Sequence, residues 1–171
     1  MRKLFSATII TCILCIIALT AYSQKLPDLI HDLCGAKWIG HYQNSEDSNL
    51  VHVLQWSLEY DGKVARALKS VPELGFFMET NIFFDYEQER FASISLLNKT
   101  MIRKGTITSD ENHLKIRGKL YFQGGSNEFK VELMLNDKGQ LEDRFFRKTK
   151  QGEWTQGHFI LYERKTEQAK E

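Results

Sequence analysis

Residues 37–165 carry about ten strand-like segments in succession, and this feature constrains the fold more than any other. Apolar and polar residues alternate within the segments, as from Phe129 to Leu133, which is the period-two pattern of a half-buried β-strand. Turn signals separate the segments, among them Asp61-Gly62 and Gly124-Gly125. The sequence therefore predicts an all-β domain.

Short connections make each predicted strand pair with its neighbour in the chain. An open sheet of this size would leave two long edges prone to aggregation, and closing the sheet into a barrel removes them. A β-sandwich is the alternative, but its crossovers need longer connections. We predict a ten-stranded antiparallel up-and-down barrel over residues 37–165. The lead-in, residues 24–36, should contain a short helix with Asp28 as N-cap and its end at Gly35.

Residues 1–23 show the three parts of a secretory signal peptide. Arg2 and Lys3 form the positive start, Ile9 to Leu19 is apolar, and Ala21-Tyr22-Ser23 offers small residues for cleavage after Ser23. The apolar run is shorter than the roughly 20 residues of a spanning helix, which favours cleavage over a retained anchor. We expect an exported protein, periplasmic or secreted, with no stable membrane span after cleavage. Residues 166–171 form a charged tail.

The chain has three cysteines, and two of them, Cys12 and Cys15, fall within the predicted signal peptide. Cys34 alone remains, so the mature domain cannot form an internal disulfide. The apolar residues around Cys34, such as Leu33, favour a packing role over a reactive thiol.

Composition and motifs exclude several classes of function. The formal net charge is +1 and the basic residues are scattered, which argues against nucleic-acid binding. The chain has no HExxH, GxSxG or phosphate-cradling glycine motif. His41 and His52 could begin a zinc site across a hairpin, but a third ligand is not evident. We therefore expect no catalytic residues, no metal and no enzyme activity, and the oligomeric state stays open.

Two motifs bracket the ten segments. Gly35-Ala36-Lys37-Trp38-Ile39-Gly40 opens the first strand, and Tyr162-Glu163-Arg164 ends the last. This arrangement resembles the calycins, the lipocalin and fatty-acid-binding group of barrels, in the form found in exported bacterial lipocalin-like domains. The resemblance implies that Arg164 packs over Trp38 by a cation–π contact and closes one end of the barrel. It also implies that the interior holds a small molecule.

The segment from His158 to Arg164, together with Trp38-Ile39-Gly40, is also similar to nitrobindins, which are ten-stranded haem barrels. That resemblance implies His158 as the haem ligand. Without it, no cofactor is expected.

Strand parity predicts which side chains face the barrel interior. If Trp38 and Arg164 point inward, every second residue of the last strand does so too, unless a β-bulge shifts the parity. These residues are Trp154, Gln156, His158, Ile160 and Tyr162. The candidate lumen residues are Tyr42, Trp56, Tyr60, Met78, Phe84, Tyr86, Phe122, Phe145, Gln156, His158 and Tyr162. This mixed aromatic and polar set is typical of a site for a small apolar or amphipathic ligand.

Within that set, four residues are expected to orient the polar end of the ligand: Tyr42, Gln156, His158 and Tyr162. The alternative is that the same side chains simply fill a core. The protein would then be an envelope module that interacts with other proteins.

Overall fold

The computed structural model of the chain describes residues 25–43 and 48–165. The predicted signal peptide and the charged tail lie outside the described residues. Within these described ranges, one α-helix, one 3-10 helix at Pro72–Leu74 and ten strands follow one another. In chain order the main elements are α1 (Asp28–Leu33), β1 (Lys37–Tyr42), β2 (His52–Glu59), β3 (Val64–Val71), β4 (Phe76–Asp85), β5 (Arg90–Leu97), β6 (Met101–Asp110), β7 (His113–Phe122), β8 (Gly125–Leu135), β9 (Leu141–Lys148) and β10 (Trp154–Lys165).

The ten strands close into one antiparallel barrel. Each strand pairs with its neighbours in the chain, and β10 pairs with β1 to complete the ring. At this seam Trp38 lies opposite Arg164, and Gly40 lies opposite Tyr162. The predicted ten-stranded up-and-down barrel is confirmed.

Helix α1 covers one end of the barrel, which we call the closed end. Its residues Leu29, Ile30 and Leu33 are buried in one cluster with Trp38 and Trp56. Trp38 Nε1 donates a hydrogen bond to the carbonyl oxygen of Leu33 at 3.0 Å, which ties the helix to β1. The opposite end, where β1 finishes and β2 begins, is called the mouth.

Arg164 of β10 contacts both β1 and α1 at the closed end. Its guanidinium carbon lies 5.4 Å from the centre of the Trp38 ring. It also donates a hydrogen bond to the carbonyl oxygen of Asp32 in α1. The predicted packing of Arg164 over Trp38 is confirmed.

The start of α1 differs from the prediction. Pro27 occupies the N-cap position with extended dihedral angles, and Asp28 lies in the first turn without a capping hydrogen bond. The Asp28 carboxylate accepts a hydrogen bond from Lys25 Nζ at 2.6 Å instead. The helix stops at Leu33, and Gly35 follows with φ of +72°. The prediction of Asp28 as N-cap was wrong because Pro27 already sets the extended conformation that precedes a helix.

A β-bulge at Gly157 divides β10 into two parts. Gln156 pairs with Phe146 and His158 pairs with Phe145, so Gly157 is the additional residue. A Cβ atom at Gly157 would lie 2.7 Å from Phe145 Cδ1, which explains why glycine stands there. The bulge reverses the parity, so residues before and after it face opposite sides.

The described ranges contain no helix with the length and apolar character needed to cross a membrane.

Candidate functional site

Two charged residues meet in the middle of the barrel. Lys69 of β3 and Asp143 of β9 form an ion pair with Nζ 2.7 Å from Oδ2, and their side chains are only 6% and 8% exposed. Lys69 lies on the same face of β3 as the buried residues Ala67 and Val71, so strand geometry directs its side chain inward. A buried ion pair is stable only when each charge retains its partner.

The surroundings of Asp143 favour its ionised form. Burial alone would raise the pKa of the carboxyl, but the charge of Lys69 and the nearby imidazole of His158 hold it well below its usual range. His158 Nε2 lies 3.7 Å from Asp143 Oδ1, which is too long for a good hydrogen bond. Burial lowers the pKa of His158 and keeps this imidazole in its neutral form.

Arg103 of β6 brings a second cation into the interior. Its guanidinium carbon lies 4.6 Å from the centre of the Phe145 ring and 5.5 Å from that of Phe129. Nη1 contacts Met78 Sδ at 3.6 Å, and Nε has no hydrogen-bond partner. Burial lowers the pKa of Arg103 to about 10, against the opposing effect of Asp143. Among residues 25–43 and 48–165, no carboxylate forms an ion pair with this guanidinium.

Other buried polar atoms in the described part of the barrel also have no hydrogen-bond partner. They are both ring nitrogens of His52, the indole nitrogen of Trp56, Nε of Arg144 and the hydroxyl of Tyr162. The His52 ring packs edge-on against Tyr42 at 4.4 Å between centroids, and burial lowers the pKa of His52 to about 4. Native interiors rarely leave such atoms unsatisfied, so each of these buried groups requires an explanation.

A small cavity lies among these groups. Its volume is about 50 Å³. The polar and charged residues that line it are Trp56, Lys69, Thr80, Ser95, Arg103, Asp143 and His158. Apolar side chains such as Leu54 and Val131 complete the wall. This space accepts a few water molecules or one small polar group, since ligand pockets for larger molecules span roughly 300–1,000 Å³.

Several predicted lumen residues face the interior. Trp56, Met78 and His158 line the cavity itself. Phe145 stacks on His158 at 5.2 Å between ring centroids, and Tyr42 lies 6.1 Å from the same imidazole. Two further predicted residues do not line the cavity. Tyr162 is fully buried, and the ring of Phe84 packs edge-on against Phe91.

Four predicted lumen residues do not belong to this site. Tyr60 is 79% exposed because it lies in the turn of residues 60–63 and no longer in β2. Tyr86 follows the end of β4 and is 62% exposed, and Phe122 ends β7 at the mouth with 37% exposure. Gln156 is exposed because the Gly157 bulge turns it to the outer face, beside Phe146.

Trp154 was expected to face inward and also lies on the outer face. Its ring is 5.2 Å from the guanidinium of Arg117 and 5.8 Å from Lys130 Nζ. Both basic residues are on the outer side of their strands. The same bulge accounts for this change, because Trp154 and Gln156 precede it.

The sequence analysis missed three charged residues of the interior, which are Lys69, Arg103 and Asp143, and it considered His52 only as a possible zinc ligand. A signal for them was present. Lys69 shares the inward face of β3 with apolar residues on either side of it. Asp143 shares the inward face of β9 with Leu141 and Phe145. A charged residue on the apolar face of a strand is rare unless it is paired or functional.

The interior does not fit a haem. The imidazole of His158 is stacked against Phe145, and its Nε2 is directed to Asp143. A cavity of about 50 Å³ cannot enclose a planar tetrapyrrole. His41 and His52 do not share a metal site either, because His52 is buried inside the barrel while His41 is exposed. The described residues hold no group of three or more potential metal ligands.

Comparison with known proteins gives no identification. No protein-family model matches the chain, and a search of the curated proteins finds no match.

Proposed function

We propose that the barrel binds, without transforming it, a small amphipathic molecule whose anionic group enters the interior beside Arg103. The observation that carries this proposal is the burial of the Arg103 guanidinium with an unpartnered Nε and no carboxylate ion pair among the described residues. The signal-peptide pattern supports a role outside the cytoplasm, and the calycin-like motifs support a carrier of the lipocalin type.

A carboxylate fits the chemistry of this cluster. A guanidinium presents paired N–H donors that match the two oxygens of a carboxylate. Lys69 is already paired with Asp143, so the interior contains one cation more than it has anions while His52 and His158 are neutral. An incoming anion would balance that charge and satisfy Arg103 Nε, and Trp56, whose indole nitrogen has no partner, lines the same space.

The size of the cavity sets the binding mode. About 50 Å³ holds the head group alone, so an apolar tail must extend towards the mouth. Met78 lies on this route and Met101 pairs with Leu97 near the mouth. Unbranched methionine side chains change rotamer easily, and they can make room for an alkyl chain.

The decisive experiment is titration of the purified protein with straight-chain carboxylic acids and the matched alcohols, followed by calorimetry and tryptophan fluorescence. Carboxylates should bind and alcohols of equal length should bind at least tenfold more weakly. Arg103→Met should weaken carboxylate binding at least tenfold, while the neighbouring outward-facing variant Lys104→Met should not. Equal affinity for acids and alcohols, or full binding by Arg103→Met, would contradict the proposal. Since Arg103 has no ion pair, its replacement is not expected to unfold the barrel.

A second candidate function is the filled-core interaction module. The observation in its favour is the small volume of the interior cavity. If calorimetry and fluorescence detect no binding of carboxylates, alcohols or added haem, this candidate replaces the first. A Soret band that disappears in His158→Ala would contradict the conclusion that the interior does not fit a haem.

A further inference from the structure

The outer rim of the barrel mouth carries a continuous group of exposed apolar side chains. Leu96 of β5, Ile102 of β6 and Tyr121 of β7 lie directly opposite one another in the strand register. Directly paired residues project on the same face with Cβ atoms about 5 Å apart, so these three form one row. Their neighbours Leu97 and Arg103 point inward, which places the row on the outside.

This row belongs to a larger surface at the same end of the barrel. We call it the mouth patch, and its members are Leu74, Phe77, Leu96, Ile102, Tyr121 and Phe122. Each is between 37% and 62% exposed. Leu74 and Phe77 flank the connection from β3 to β4, and Phe122 ends β7, so all six lie near the mouth. Exposed apolar groups of this extent usually mark an interaction surface.

Basic residues border the mouth patch. Lys104 lies opposite both Ile94 and Lys119, one row further from the mouth than Leu96. Lys99 stands in the turn between β5 and β6. None of the three lysines has a carboxylate partner among the described residues.

The acidic residues in this region are mostly neutralised. Glu79 lies opposite Leu96 but accepts hydrogen bonds from Arg66 at 3.0 and 3.3 Å. Glu128 lies opposite Lys119 but forms an ion pair with Lys148 at 3.1 Å. Glu73, in the 3-10 helix next to Leu74, is exposed and has no ion pair among the described residues. The surface that borders the mouth patch is therefore positive.

We propose that the mouth patch rests on an anionic lipid surface. Apolar side chains enter the boundary between head groups and acyl chains, and neighbouring lysines attract the acidic head groups. A bilayer needs no shape-matched groove, which suits the convex outer wall of a barrel. The charge of the border selects acidic lipids over zwitterionic ones, and the position of the patch turns the mouth towards the bilayer. This inference does not depend on the proposed ligand of the interior.

The test is co-sedimentation of the purified protein with vesicles of phosphatidylcholine alone or mixed with phosphatidylglycerol. The protein should sediment with the mixed vesicles and remain in solution with phosphatidylcholine alone or at high salt. The double variant Leu96→Ser/Ile102→Ser should lose at least tenfold in partitioning. Lys104→Gln/Lys119→Gln should lose affinity for the acidic vesicles specifically.

A matched control is Tyr60→Ser/Tyr86→Ser, which removes two aromatic residues at the closed end that are more exposed than Leu96 and Ile102. This control should bind as the unmodified protein does. Failure of the unmodified protein to sediment with the mixed vesicles, or full binding by Leu96→Ser/Ile102→Ser, would overturn the proposal. Light scattering tests whether the mouth patch instead binds a second copy of the chain. A dimer that dissociates in Leu96→Ser/Ile102→Ser would assign the patch to that second copy and overturn the lipid assignment.

Discussion

Lys69 and Asp143 form a buried ion pair although 74 positions separate them in the chain. They come from β3 and β9, which are not adjacent in the barrel, so the contact crosses the interior. The pair therefore joins two distant parts of the wall. Its contribution depends on the presence of both partners.

Replacing Lys69 by methionine should lower the free energy of unfolding by about 3–5 kcal/mol, because Asp143 would remain buried without its cation. The measurement is urea denaturation followed by circular dichroism. The double variant Lys69→Met/Asp143→Leu should recover most of the loss, since neither charge then needs a partner. Lys148→Met is the control. It breaks the more exposed pair with Glu128 and should cost less than about 1 kcal/mol.

The stability of the protein should fall as the pH decreases from about 6.5 to about 4. Burial lowers the pKa of His52 from 6.5 to about 4, with a smaller effect from the charge of Lys69. In that interval the unfolded chain binds a proton on His52 and the folded chain does not, so acid favours unfolding. Burial also lowers the pKa of His158, which acts in the same direction.

The measurement is the free energy of unfolding at pH 7 and pH 4.5, for which we expect a difference of about 1–3 kcal/mol. His52→Phe should reduce this difference, whereas replacement of the exposed His41 by glutamine should leave it unchanged. An equal pH dependence in His52→Phe and the unmodified protein would contradict the assignment to His52.

Gly40→Ala should destabilise the barrel by about 1–3 kcal/mol. A Cβ atom at this position would lie 2.5 Å from Tyr162 Cδ1 and 2.8 Å from Ile160 Cγ2, so the buried Tyr162 ring would have to move. Thermal unfolding measures the effect. In Gly125→Ala, the added Cβ would lie 3.9 Å from the Phe122 ring, and this control should change stability by less than about 0.5 kcal/mol. Equal effects in the two variants would show that the Tyr162 contact is not the cause.

Arg164→Met should lower the free energy of unfolding by about 1–2 kcal/mol. The substitution removes both the guanidinium over Trp38 and the hydrogen bond to the Asp32 carbonyl. Urea denaturation provides the measurement, and Glu163→Gln, an exposed neighbour, serves as the control. If both variants retain full stability, the closure of the barrel does not depend on Arg164.

The alternation of residues and the turn signals were sufficient to predict the ten strands and their order. They work because each strand pairs locally and each turn has its own chemistry, as at Gly124 with φ of +95°. The Trp38–Arg164 contact followed from a family resemblance. What alternation could not reveal was the parity of β10, because one glycine, Gly157, changes which side every earlier residue of that strand faces.

The interior site was harder to predict than the fold for a similar reason. Lys69 and Asp143 meet only after the barrel has closed, and their separation in the chain conveys nothing about their distance in space. Tyr60 and Tyr86 were placed in the lumen by parity, but both stand in turns, where strand geometry no longer holds. Parity is informative within a strand and fails at its ends.

The seam between β1 and β10 has a consequence for folding. Nine of the ten pairings join consecutive strands, and the remaining one joins the first strand to the last. While the chain emerges into the compartment where it folds, the growing sheet keeps two open edges, and Trp38 is not yet covered by Arg164. The ring can be completed only when β10 has emerged, so the nearly complete chain is the species most exposed to edge-to-edge aggregation.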